Sequence, residues 1–211
     1  MFILEKFLRL PVLGIVRGED NFPMEDAFNV AVEAGLKHIE IALNTPNAFE
    51  HLKKMHAKFS KFLCIGVGTV LSVDDCKKAI DTGAQYIVTP SYMPELIDYC
   101  REKNTGIFAG ALTPTEVFNA WERGADMIKV FPSFSCGGPE YFKALNGPFN
   151  QIKFLAVGGI RLNNIKDYFK AGASGVAFGS SIFKKEYIRQ KDFNLIKDEI
   201  VSFVEEVMKF V

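Results

Sequence analysis

Gly124-Ala125-Asp126-Met127-Ile128-Lys129-Val130-Phe131-Pro132 sets a lysine inside a short apolar run. Ile128 and Val130 are β-branched and flank Lys129, Gly124 ends what comes before, and Pro132 ends the run. Apolar residues on both faces mark a buried parallel strand rather than a half-solvated one. An ammonium in such a strand is expensive unless it is paired or its pKa falls. One reading is a lysine at a strand end that snorkels to water or meets a carboxylate. The other is a nucleophilic amine of depressed pKa, able to form a Schiff base with a ketone.

The start of this stretch recurs. Gly83-Ala84-Gln85-Tyr86-Ile87 repeats it, and Gly172-Ala173-Ser174-Gly175-Val176 is a close variant. In each, a helix stops at glycine and a strand begins almost at once. Working outward, the pattern predicts strands over Pro11–Val16, Lys37–Leu43, Phe62–Gly66, Gln85–Thr89, Gly106–Ala109, Asp126–Phe131, Lys153–Val157 and Ser174–Phe178. Helices are expected between them, over Pro23–Gly35, Asn47–Phe59, Val73–Gly83, Pro94–Lys103, Pro114–Gly124, Pro139–Leu145 and Asn163–Gly172, with a last one over Phe193–Val211. Ser72 and Thr113 stand at N-cap positions. The stretch Met1 to Leu10 is amphipathic and predicts a helix ahead of the first strand. Eight β/α units in 211 residues predict one α/β domain over 1–211, a single (β/α)8 TIM barrel with an N-terminal helix. A doubly wound open sheet is the alternative, but no dinucleotide-type glycine fingerprint follows the first strand.

Bulk properties narrow the function. Lys and Arg total 25, as do Asp and Glu, and no basic face stands out, which argues against a nucleic-acid partner. No apolar run is long enough to span a membrane. The N-terminal stretch lacks a signal peptide's apolar core and cleavage site, so a cytoplasmic location is expected. Cys64, Cys76, Cys100 and Cys136 form no C-x-x-C pair and read as reduced thiols. His51 and His56 lie five apart on a helix, wrong for one metal face, and read as surface residues. No Asp/Glu/His cluster suggests a metal, and no cofactor is expected.

In a closed barrel the active site lies at the C-terminal strand ends. Strand one ends at Arg17, where a guanidinium can grip a carboxylate through two hydrogen bonds or simply be solvated. In Lys37-His38-Ile39-Glu40-Ile41-Ala42-Leu43, alternation puts Glu40 on the face of His38 and Ala42, and that polar face points inward. Near Lys129, Glu40 is an acid/base partner or half of a structural ion pair. Strand two ends at Asn44, strand three leads to Thr69, and strand four ends at Thr89-Pro90. Phe131 shares the face of Lys129 and either shields an imine from water or fills the barrel. Gly158-Gly159 and Gly179-Ser180 follow strands seven and eight, where backbone N–H groups can approach a phosphate, or where tight turns need glycine.

Taken together the motifs resemble a known family. They are Ile39-Glu40-Ile41 with Leu43-Asn44-Thr45-Pro46, Gly66-Val67-Gly68-Thr69-Val70-Leu71, Val88-Thr89-Pro90, Ile128-Lys129-Val130-Phe131-Pro132, Ala156-Val157-Gly158-Gly159-Ile160 and Gly179-Ser180. Over almost the whole chain this set is similar to the class I 2-keto-3-deoxy-6-phosphogluconate and 2-dehydro-3-deoxy-6-phosphogalactonate aldolases. The resemblance implies that Lys129 is the Schiff-base lysine and Glu40 the general acid/base. It implies that Arg17 and Thr69 hold the pyruvyl part, that Gly158, Gly159, Gly179 and Ser180 take the phosphate, and that the chain forms a homotrimer. It groups Pro90, Phe131, Asn44 and Val157 with the substrate-binding residues.

Two positions depart from the phosphogluconate branch, which usually has Arg at the place of Asn44 and Thr at that of Val157. The surrounding motifs look like the phosphogalactonate branch. The expected reaction is cleavage of 2-dehydro-3-deoxy-6-phosphogalactonate to pyruvate and glyceraldehyde 3-phosphate, with its epimer as the alternative substrate. A phosphate-binding isomerase using Glu40 without a covalent lysine, and a phosphosugar-binding barrel without catalysis, are the rival readings.

Overall fold

The computed structural model describes residues 4–211. Among them, eight parallel strands close into a barrel in chain order: β1 (Val12–Val16), β2 (His38–Ala42), β3 (Cys64–Gly68), β4 (Tyr86–Val88), β5 (Gly106–Gly110), β6 (Met127–Val130), β7 (Phe154–Val157) and β8 (Gly175–Phe178). The barrel closes where β1 pairs with β8, Leu13 lying opposite Ala177. Helix α1 (Leu4–Leu8) precedes the barrel. Seven helices alternate with the strands: α2 (Met24–Glu33), α3 (Ala48–Phe59), α4 (Val73–Thr82), α5 (Pro94–Glu102), α6 (Pro114–Glu122), α7 (Gly138–Asn146) and α8 (Ile165–Lys170). Helices α9 (Lys185–Gln190) and α10 (Phe193–Val207) follow β8. None of these helices is long and apolar enough to cross a membrane.

The recurring Gly-Ala step is the joint that makes this architecture. Gly83, Gly124 and Gly172 all adopt positive φ, at 114°, 98° and 101°. A side chain is strained there, so glycine ends the helix in a left-handed cap. The alanine after each returns its N–H to the helix: Ala84 to Ala79, Ala125 to Ala120 and Ala173 to Tyr168, at 2.9–3.0 Å. The next residue already donates to the preceding strand: Gln85 to Ile65, Asp126 to Ile107 and Ser174 to Phe154. One short motif thus stops a helix, satisfies its last carbonyls and docks the following strand in parallel register. Helix starts follow sequence chemistry equally closely. Ser72 caps α4 by accepting from Asp75 N–H at 3.0 Å, and Thr113 with Glu116 forms a capping box on α6.

The interior fills in layers. Phe7 of α1 plugs the N-terminal end, fully buried, with its ring edge-on to His38 at 4.9 Å and to Phe108 at 5.0 Å. Burial pushes His38 down to about 4, with Lys37 adding to the effect, so this inward histidine is neutral near pH 7. Above it lies Tyr86, whose hydroxyl donates to the carbonyl of Ile39 at 2.7 Å. A Cβ on Gly66 would stand 2.2 Å from the Tyr86 ring, so the bare glycine is what lets that ring cross the barrel.

Several boundaries move from the sequence reading. Strand three runs Cys64–Gly68 rather than Phe62–Gly66, because Gly66 and Gly68 face the packed interior instead of forming a turn. Arg17, Asn44 and Phe131 stand just beyond their strands. The last α-helix stops at Val207, and a 3-10 turn covers Met208–Phe210. Helix α9 was not expected at all. His51 and His56 are half-buried rather than surface residues, and the His56 ring packs against Gly83. Of the N-terminal stretch, residues 4–10 are described and carry α1, and Met1, Phe2 and Ile3 lie outside the described residues.

Candidate active site

The twelve site residues singled out from sequence line one cavity of about 430 Å³ at the C-terminal mouth of the barrel. They are Arg17, Glu40, Asn44, Thr69, Pro90, Lys129, Phe131, Val157, Gly158, Gly159, Gly179 and Ser180. A larger groove of about 570 Å³ runs between α10 and the loops after β7 and β8. Its Lys184 and Glu199 bond to each other, and neither Lys129 nor Glu40 reaches it.

Lys129 and Glu40 are the buried charges of the cavity, 6% and 1% exposed. Burial pushes the Lys129 ammonium below the usual lysine value; the Glu40 carboxylate opposes that shift and Arg17 reinforces it. Burial likewise raises Glu40 above the usual carboxylate range, against the pull of Lys129 and then Arg17. The two groups feel each other's charge, but no direct ion pair within 4.0 Å joins them among the described residues. Glu40 Oε2 is buried with no hydrogen-bond partner from the protein. A structural carboxylate would be satisfied; an orphaned one marks a group kept for chemistry. The Lys129 ammonium also lies 5.7 Å from the centre of the Phe131 ring.

Glycine again supplies the space. A Cβ on Gly68 would stand 2.2 Å from Glu40 Oε1. Its φ lies outside the left-handed region, so backbone geometry does not exclude alanine; only the carboxylate does. Gly68→Ala therefore displaces Glu40, and turnover is expected to fall about 10²-fold. Circular dichroism and a steady-state assay on one preparation check this; unchanged turnover in a folded variant would contradict it.

Buried polar groups hold the loops; sequence reading placed Thr89 at a strand end but gave no role to Thr45 or Ser133. Thr45 accepts from Gly18 N–H at 3.1 Å and so fixes the loop that carries Arg17. Ser133, fully buried, donates to the carbonyl of Val130 at 2.7 Å and accepts from Val157 N–H at 2.9 Å, tying the ends of β6 and β7 together. Thr89 accepts from Gly110 N–H at 3.0 Å and donates to the carbonyl of Ser91 at 2.8 Å, setting the Pro90 turn. Thr69 holds φ at 59°, an uncommon value for a non-glycine residue and one found where a site constrains the backbone. Gly158 and Gly159 adopt φ of 94° and 78°. Ile15, Gly18, Glu19, Ile160, Ala177, Ser181, Phe183 and Lys185 complete the lining. Among the described residues, no group of three or more His, Cys, Asp or Glu is placed to hold a metal.

Comparison with known proteins gives this arrangement a family. Residues 3–199 match the family model described as KDPG and KHG aldolase. The 2-dehydro-3-deoxy-phosphogluconate aldolase of Haemophilus influenzae is 31% identical over 212 residues, covering 99% of this chain and 96% of the relative. The 2-dehydro-3-deoxy-6-phosphogalactonate aldolase of Escherichia coli is 32% identical over 177 residues, covering 83% of this chain and 86% of the relative. Among solved structures, the KDPG aldolase of Legionella pneumophila, with pyruvate captured at low pH as a covalent carbinolamine intermediate, superposes with a TM-score of 0.85 at 26% identity, over 95% of this chain and 98% of that one. The chain belongs to the KDPG and KHG aldolase family and is a carbon–carbon lyase.

Proposed function

We propose that the chain is a class I aldolase that cleaves 2-dehydro-3-deoxy-6-phosphogalactonate to pyruvate and glyceraldehyde 3-phosphate through a Schiff base on Lys129. The observation that carries this reading is a buried lysine of lowered pKa sharing one cavity with an unpaired buried carboxylate. The neutral Lys129 amine attacks the C2 ketone and gives a carbinolamine, which loses water to form the imine. The imine accepts the electron pair of the C3–C4 bond as Glu40 takes the proton of the C4 hydroxyl. The aldehyde leaves and an enamine remains. Glu40 returns the proton to C3, and hydrolysis frees pyruvate and the amine. The carbinolamine of the Legionella relative is the same kind of intermediate, formed with pyruvate.

Arg17 and Thr69 hold the pyruvyl carboxylate in this reading, and Pro90 and Phe131 wall the imine from water. The backbone at Gly158, Gly159, Gly179 and Ser180 receives the phosphate. A cytoplasmic setting suits the four free thiols, and a trimer is inferred from the family resemblance alone.

Epimer choice rests on Asn44 and Val157. Similarity does not separate the substrates, since relatives named for each stand at 31% and 32% identity. A hydroxyl in the wall can reward one configuration of a facing carbinol, whereas the methyls of Val157 cannot. Coupled assays of pyruvate release from both epimers test this. The galactonate-derived substrate is expected to give the higher kcat/KM, with detectable turnover of the other. Equal or better turnover of the phosphogluconate substrate would assign the chain to that activity instead.

A further inference from the structure

Three cations line the cavity: Arg17, Lys129 and Lys185. The first two act on the Glu40 carboxyl. Lys185 stands apart from them. It opens α9, four residues after the end of the Gly179-Ser180-Ser181 turn that leaves β8, and its ammonium bonds to Glu19 in the loop after β1. The two residues are 166 positions apart in sequence, yet β1 and β8 are neighbours where the barrel closes, which brings their loops together. Lys185 and Glu19 share the cavity with Gly179 and Ser180, and both side chains are largely exposed.

A phosphate monoester brings about 1.5–2 negative charges near neutral pH. Backbone N–H groups offer it dipoles but no full charge. With Arg17 assigned to the carboxylate end and Lys129 to the ketone, Lys185 is the remaining cation of the lining, and Glu19 is the remaining carboxylate, which repels a phosphate. We propose that Lys185 is a phosphate-binding residue held in place by Glu19, and that the entering phosphate displaces the Glu19 carboxylate from its ammonium. This rests on the aldolase reading given above.

The exchange is physically easy. An exposed lysine–carboxylate pair is weak, so little opposes its opening. Lysine is a point charge on a flexible stem with three donors, suited to turning from one anion to another. A displaced Glu19 also has a second cation at hand, because Arg189 of α9 acts on its carboxyl and lines the adjoining hollow of about 380 Å³ with it. The partner gained by Lys185 is a more highly charged anion with several strong acceptor oxygens, which favours the exchange.

The test compares the wild type with Lys185→Ala, Lys185→Arg and Glu19→Gln in pyruvate-release assays on the phosphorylated keto acid. Trapping of pyruvate by borohydride serves as the phosphate-free control. Lys185→Ala is expected to raise KM about five- to twentyfold while kcat changes less. Lys185→Arg should restore most of the loss, and Glu19→Gln should lower KM about two- to fivefold. The pyruvate concentration that gives half-maximal trapping should be the same in all four. An unchanged KM in an active Lys185→Ala variant would overturn the proposal, as would a KM rise matched by an equal loss of pyruvate affinity. If the wild type releases no pyruvate, the aldolase reading fails by itself. Calorimetry with inorganic phosphate then decides on Lys185: weaker binding by Lys185→Ala supports the site, and equal binding overturns it.

Discussion

Replacing Lys129 with methionine is expected to lower pyruvate release by on the order of 10⁴-fold or more, because Lys129 is the buried amine of the cavity, Lys185 being exposed and paired with Glu19, and the rest of the site does not substitute for a lost nucleophile. Methionine keeps an unbranched chain at the inward position of β6 between Met127 and Phe131, so the barrel should still fold. Far-UV circular dichroism is expected to match the wild type while a coupled assay reads only residual rate. The pH profile of the wild type carries the same idea. Imine formation needs the neutral amine, and burial lowers the pKa of Lys129. Activity should therefore rise with pH before an ordinary lysine would titrate. Retained turnover in folded Lys129→Met would remove the covalent mechanism.

Glu40→Gln gives the second large effect, a fall in kcat of about 10²–10⁴-fold, the usual worth of a positioned acid/base group. Glutamine keeps the shape that Gly68 accommodates but cannot exchange a proton. The folded pKa of Glu40 lies above its unfolded one, so the folded state binds that proton more tightly. The stability linked to this group is complete below the unfolded pKa and is lost as pH rises through the folded one. At neutral pH the carboxylate is thus a cost to folding, and Glu40→Gln should leave Tm unchanged or raised. Loss of rate together with loss of Tm would point to a structural role; near-normal turnover would refute the assignment of Glu40 to proton transfer.

The fold was legible where the chain states it locally. Gly124-Ala125 and its two echoes each encode a helix stop and a strand start in neighbouring residues, and the barrel follows from repetition. Lys129 and Glu40 were legible because a charge in an apolar strand contradicts its surroundings. The β3 boundary was not, since Gly66 and Gly68 carry the composition of a turn while their function is to leave room for Tyr86 and Glu40, residues of other strands. Helix α9 is short and only partly buries Tyr187 and Ile188, so Lys185-Glu186-Tyr187-Ile188-Arg189-Gln190 shows no repeating apolar face to read. Thr45 and Ser133 look like ordinary loop residues; their hydrogen bonds to Gly18 and Val157 exist only once distant loops meet. The Glu19–Lys185 pair is hidden for the same reason.

The most direct test of the central claim is borohydride reduction of the protein in the presence of pyruvate, followed by peptide mass analysis. A reduced pyruvyl adduct on the peptide that carries Lys129, absent when pyruvate or borohydride is left out, is the predicted result. Folded protein that carries no adduct at Lys129, or carries it on another lysine, would contradict the account.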